Sequence, residues 1–170
     1  RDVAGHLTAG FNLSWKKVAV GLIKHRSFDK YNAVAARELG SRSTGEIVAD
    51  LRDNAEHRFT PPGAGNIAPL IDVVTHGGDI RRPLGIASST PVATFRYVLD
   101  RLAKPDRLVR LPLSDVSNLE FRATDQDWSS GSGALVEGTS EALTLGLGGR
   151  MVALDDLSGA GVAEVRRRLI

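Results

Sequence analysis

Four histidines occur in the chain, His6, His25, His57 and His76, and the last lies in the stretch DVVTHGGDIRRPLG, residues 72–85. Asp72 and His76 stand at i,i+4, the spacing that projects two side chains from one face of a helix. A carboxylate and an imidazole so placed can offer two ligands to one metal ion. They can equally share a helix-surface hydrogen bond. His6 falls one position from the apolar stripe of the first helical segment, and His76 falls within the apolar pattern of its own segment. A carboxylate near an apolar face is costly unless it is paired or metal-bound. Taken together from two helices, His6, Asp72 and His76 would form a three-ligand site with positions left for water or substrate, as in catalytic rather than structural zinc. Taken singly, each histidine is more simply a hydrogen-bonded residue of the interior, and the short spacing leaves both readings open.

The other titratable groups fit simpler roles. His25 sits between Lys24 and Arg26 at a helix C-terminus, where positive charge complements the helix dipole. His57 precedes Arg58 and reads the same way. Asp79 follows His76 by three residues, so it could orient a ligand histidine from behind or pair with Arg81 or Arg82. Trp128 reads as a packed anchor rather than a stacking platform. Gly146, Gly148 and Gly149 read as a helix stop, not as a phosphate loop. There is no Gly-x-Ser-x-Gly, no Walker loop and no Gly-x-Gly-x-x-Gly behind a strand. The absence of cysteine removes disulfides, cysteine-bound zinc, iron–sulfur clusters and thiol nucleophiles together.

Twenty-two basic against 20 acidic residues leave a formal charge of +2, and no basic stripe with interleaved aromatics points to nucleic acid. The run Arg166-Arg167-Arg168 falls in the last turn of a helical pattern, where the dipole favours it. No apolar run approaches the ~18 residues of a membrane span and no signal peptide is visible, so the expectation is a cytoplasmic protein without a membrane partner. Apolar residues make up 42% of the 170, enough for a packed core in one domain or two small ones.

The elements that must position these groups follow from periodicity and punctuation. Residues 2–25 carry an apolar stripe near period 3.6 and predict one helix, with a short helix over 31–39 after it. Ser43-Thr44-Gly45-Glu46 is a capping box opening a helix to about Arg58, with Ile47, Val48, Leu51 and Ala55 inward. A loop follows at 60–66. The next helix carries Leu70, Ile71, Val74, His76 and Ile80 inward and stops at Pro83. A further helix begins at Pro91 with Val92, Phe95, Val98, Leu99 and Leu102 inward. Beyond Lys104-Pro105-Asp106 the pattern changes. Residues 108–113 and 118–125 alternate as strands, SSGSG turns the chain, and ALVEGT returns as the partner strand. Two helices close the chain. The expected fold class is α+β, a helical bundle over 1–104 and a small α/β unit over 105–170.

These stretches occur in combination in one family. The opening RDVAGHL, the carboxylate-x-x-x-His-Gly-x-Asp-Ile-Arg-Arg-Pro-Leu-Gly stretch, and the tail containing ATDQDW, ALTLGLGGR and LDDLSGAGVAEVRRR resemble the mycothiol-dependent maleylpyruvate isomerase family. That family lies among the DinB-like helical-bundle metalloenzymes of actinobacteria. The matching stretches, 1–7, 72–85 and 121–168, extend over nearly the whole chain.

The resemblance implies a DinB-like four-helix bundle carrying a divalent metal, zinc by preference, and a C-terminal sterol-carrier-like domain. The family's ligands, a histidine and a Glu-x-x-x-His pair, fall on His6, Asp72 and His76, with aspartate standing one methylene short of the family's glutamate. A further helix is expected upstream of Arg1. The implied activity is that of a metal-dependent isomerase or S-transferase using mycothiol on a small electrophilic substrate, with Arg81 or Arg82 available for a substrate carboxylate. The alternative is a non-catalytic binding or regulatory module with a weakened metal site.

Overall fold

The expected first helix is two. In the computed structural model, which describes residues 1–57, 67–104, 112–113 and 115–170 apart from the Trp15 side chain, α1 spans Asp2–Asn12 and α2 spans Trp15–His25. Leu13 between them is extended, and the Ser14 hydroxyl accepts from the Lys17 N–H at 3.4 Å, capping α2. A serine that can cap competes with helix continuation, and an apolar stripe is blind to that competition. The Asn12 amide donates to the Thr8 carbonyl at 3.0 Å and to Asp50 at 2.8 Å, fastening the end of α1 to its neighbour.

Ser27 caps α3, Phe28–Gly40, which begins earlier than the apolar pattern indicates. The capping box is formed as expected at the start of α4, Thr44–Asp53: Ser43 accepts from the Glu46 N–H at 3.2 Å, and Glu46 accepts from the Ser43 N–H at 2.8 Å. This helix stops at Asp53 rather than near Arg58, because the Asn54 side chain takes the Asp50 carbonyl and the backbone turns. Ile47 is buried as expected, whereas Val48 and Ala55 are exposed. The loop expected at 60–66 lies outside the described residues.

Helix α5 spans Ile67–Arg81 and passes into a 3-10 turn, Arg82–Leu84, that holds Pro83. Helix α6 spans Val92–Leu102, with Pro91 at its cap. Phe95, Val98, Leu99 and Leu102 are buried, but Val92 and, on α5, Ile80 face solvent. Of the strand expected at 108–113, only Pro112 and Leu113 are among the described residues, and neither is in a strand.

The sheet has three strands in the order β2-β1-β3: β1 is Leu119–Ala123, β2 Ser129–Gly131 and β3 Ala134–Gly138. On β1, Leu119, Phe121 and Ala123 are buried and alternate with more exposed neighbours, as expected. The simple hairpin is not formed. Reversal occurs earlier, over 124–128, so that Ser129–Gly131 itself pairs antiparallel with β1, and β3 pairs parallel on the other edge with Phe121 opposite Val136. Glycine- and serine-rich residues carry little register information, and the pairing is decided by which face is buried. Helix α7, Ser140–Leu147, then a 3-10 stretch, Met151–Asp156, and α8, Val162–Arg168, complete the chain.

One hydrophobic cluster joins Val74 of α5 and Phe95, Val98 and Leu99 of α6 to Phe121, Val136, Leu143, Leu154 and Val165. The last two bundle helices and the α/β unit thus share a core. Trp128 is buried in it, and its indole N–H donates to Asp100 of α6 at 2.8 Å. The first four helices hold together differently. Gly5 of α1 lies against α3 so closely that a Cβ there would come within 2.4 Å of the Gly40 nitrogen. Only a residue without a side chain permits that approach. Among the described residues no helix is long and apolar enough to cross a membrane.

Candidate metal centre

Helix α1 carries His6 and helix α5 carries Asp72 and His76, and the packing of the two helices brings the three side chains together. One ligand atom from each lies within 4.8 Å of the others. His6 Nε2 is 3.7 Å from Asp72 Oδ2. The two imidazole rings meet edge to face with centroids 4.9 Å apart. Donors on one tetrahedral zinc ion stand about 3.4 Å apart, so the His6–Asp72 pair is already near that spacing and closure of the widest pair by at most about 1.4 Å would complete the set. The donors are two imidazoles and a carboxylate, a set that suits zinc and its divalent neighbours.

Exposure corrects one premise. The Asp72 side chain is 55% exposed, whereas His6 and His76 are 20% and 23% exposed. Asp72 is therefore no buried charge in need of a partner, and burial cost does not argue for a metal. What does argue for one is convergence, with the two half-buried imidazoles forming the inner wall and the carboxylate closing the solvent side.

Behind His76 stands Asp79. Its Oδ2 lies 2.8 Å from His76 Nδ1. Arg150 reaches the same carboxylate with both Nε, at 3.1 Å, and Nη2, at 2.8 Å, and donates from Nη1 to the Gly148 carbonyl at 2.7 Å. Partial burial pushes the Asp79 carboxyl up, but hydrogen bonds from Arg150 and His76 and their charges outweigh it and hold the group below the usual carboxylate range. An ionised carboxylate only accepts, so His76 donates from Nδ1 and turns the lone pair of Nε2 toward the cluster. This is the outer-shell arrangement that fixes the tautomer of a ligating histidine. Of the two partners open to Asp79 in the sequence, it takes the histidine and neither neighbouring arginine.

Arg81 donates to Glu141 of α7 at 2.5 Å, and Arg82 is bound by Asp156. Both side chains thus hold carboxylates of the chain itself and tie the end of α5 to the α/β unit. His25 ends α2 with its ring 6.2 Å from Tyr31, and His57 lies past α4 with its ring 6.0 Å from Phe11. Neither belongs to the cluster. Arg150 escaped the sequence reading. It follows Gly148, which caps α7, and Gly149 at φ +85°, so its only local signal is a cation after a helix stop. Its partner lies 71 positions away.

No family model, curated protein or solved structure matches this chain.

The Asp79 contacts carry a prediction in two parts. Asp79→Asn and Arg150→Ala should each weaken divalent-metal binding by about 10–100-fold, the usual cost of losing an outer-shell partner. Unchanged affinity by metal-ion titration would reduce the contacts to scaffolding. In metal-free protein the pH dependence has a definite sign. The folded carboxyl titrates below the ordinary value of 3.8, so its contribution to stability is present above that pH and is lost as pH falls toward the folded value. Denaturant midpoints measured against pH should therefore fall less steeply at the acid end in Asp79→Asn than in the parent.

Proposed function

We propose that this chain is a metal-dependent isomerase or S-transferase that uses mycothiol on a small electrophilic substrate. The observation that carries the reading is the convergence of His6, Asp72 and His76 within 4.8 Å, with Asp79 placed behind His76. The resemblance of the three sequence stretches to the maleylpyruvate isomerase family supplies the thiol. A bound divalent ion, zinc by preference, would stabilise an incoming thiol as its thiolate at neutral pH.

The chain's own residues then have defined tasks. His6 and His76 present ring nitrogens, and Asp72 presents Oδ2. Asp79 keeps a proton on His76 Nδ1, and Arg150 keeps Asp79 ionised and aimed. The exposed Asp72 side leaves the site open to solvent, where a small molecule can enter. Arg81 and Arg82 serve a substrate carboxylate in this reading only by exchanging Glu141 and Asp156 for it. A thiol cofactor kept reduced belongs with a cytoplasmic setting.

The test uses cobalt as a spectroscopic probe. Cobalt-loaded protein titrated with mycothiol should develop a sulfur-to-metal charge-transfer band in the near ultraviolet. The chain has no cysteine and one methionine, so a thiolate band can come only from the added thiol. Asp72→Glu should retain both metal and band, since it restores the longer carboxylate of the family, while Asp72→Asn should weaken metal binding without altering the fold. A spectrum unmoved by saturating mycothiol, in protein holding one cobalt per chain, would reject the thiol reading. Substoichiometric metal in protein prepared without chelator would leave the binding module in its place.

A further inference from the structure

The metal cluster lies on a seam. Among the described residues, the hydrophobic cluster that unites α5 and α6 with the α/β unit takes its first buried member at Val74 and none from α1–α4. The first four helices are held together by contacts of their own. Asn12 and Arg42 both donate to Asp50, at 2.8 and 2.6 Å, Arg42 also reaches the Thr8 hydroxyl at 3.3 Å, and Gly5 lies against Gly40. This group meets the rest chiefly through α1, which packs on α5.

No large apolar side chain seals that contact from either helix. The buried residues of α1 are Gly5 and Thr8. Those of α5 are Val74, which belongs to the core cluster, Thr75, whose hydroxyl donates to the Ile71 carbonyl at 2.7 Å, and Gly78, which lies against Leu145 of α7. His6 does cross the seam, to within 3.7 Å of Asp72 and with its ring centroid 4.9 Å from that of His76. The donor set is therefore divided. Two donors sit four residues apart on α5, and the third comes from the other group of helices. An ion held by Asp72 and His76 gains its third ligand only when α1 is docked. By reciprocity, the ion stabilises docking by the same factor.

We propose that the divalent ion is a clasp between α1–α4 and the rest of the chain, so that metal occupancy, through His6, sets how often the first four helices open away from α5. The inference rests on the metal reading of the cluster and not on the thiol chemistry.

The probe is zinc alone, added to the chelator-treated full chain, and the readout is amide hydrogen exchange. In metal-free protein the amides of α1 and α3 should exchange through a shared opening that costs less than the one exposing Val98 and Leu99 of α6. Zinc should slow exchange in α1 and α3 as its free concentration rises, by up to about 100-fold at 100 times Kd. Asp72→Asn should bind zinc more weakly yet show comparable slowing at the same multiple of its own Kd, because His6 and His76 still span the seam. In His6→Ala whatever zinc Asp72 and His76 retain lies on α5 alone, so saturation should leave exchange in α1 and α3 unchanged while α6 stays protected. One zinc per chain without slowing in α1 and α3 would overturn the clasp and leave the metal site standing. So would equal slowing in the parent and His6→Ala, no slowing in saturated Asp72→Asn, or one opening energy shared by α1, α3 and α6 in metal-free protein. Protein that takes up no zinc would remove the metal site and the clasp together.

Discussion

Replacing His76 with alanine should strip the divalent ion from the purified protein and leave its fold in place. The imidazole is 23% exposed and lies beside the core rather than inside it, so truncation removes a donor without opening a large cavity. It also removes the one group through which Asp79 and Arg150 act on the cluster, leaving that ion pair intact. Two of the three donors then remain, and one of them, Asp72, is mostly in water. The loss should exceed the about 10–100-fold expected from the outer-shell variants. Metal content by elemental analysis and affinity by competition with a chromogenic chelator measure it. His57→Ala is the control, because His57 contacts Phe11 and not the cluster. Parent-level metal in His76→Ala would end the assignment, and equal loss from both variants would mean unfolding instead. Ligand histidines must be unprotonated, so metal affinity in the parent should fall as the solution is acidified.

Phe121→Ala should have the largest effect on stability, a loss of about 3–5 kcal/mol for a buried aromatic truncated in a core. Phe121 is 2% exposed, in the central strand, with Ser130 opposite on one side and Val136 on the other. Its cluster includes side chains from α5 and α6, so the damage should not stay within the α/β unit. Amides of Val98 and Leu99 in α6 and of Leu143 in α7 should lose hydrogen-exchange protection together, to the same extent. If α6 keeps its protection while α7 loses it, residues 1–104 form a unit that stands apart from the rest. Together they would report one cooperative body from α5 onward. A stability loss below about 1 kcal/mol would mean that the strand repacks around the cavity.

Several features were legible in the sequence because their causes lie within a few residues. The Ser43–Glu46 capping box is a reciprocal pair of hydrogen bonds three positions apart, and it forms. The alternation of Leu119, Phe121 and Ala123 states which side of a strand is dry. The stop after α7 follows from glycines at its end. The apolar stripe over 2–25 misled because it records which face is buried, not whether the backbone is continuous. Leu13 and Ser14 break the helix while the stripe runs on. The hairpin was misread for a related reason: pairing partners in a glycine- and serine-rich segment are chosen by the sheet around them.

The candidate site divides along the same line. By itself the sequence determined that Asp72, His76 and Asp79 share one side of a helix, since a helix has a fixed period and their spacing is local. It also determined that no thiol, disulfide or cysteine-bound metal belongs to the chain. Only the tertiary structure decided that His6, 66 residues before Asp72 in the numbering, faces that helix. It does so because α1 packs beside α5, a contact between helices far apart in the chain. The fold alone decided that Asp79 serves His76 rather than Arg81, because Glu141 and Arg150 arrive from the α/β unit and take the other partners. Asp72 came out exposed for a like reason: which part of a helix face meets water depends on the neighbours that cover it, and those are set by packing across the whole chain.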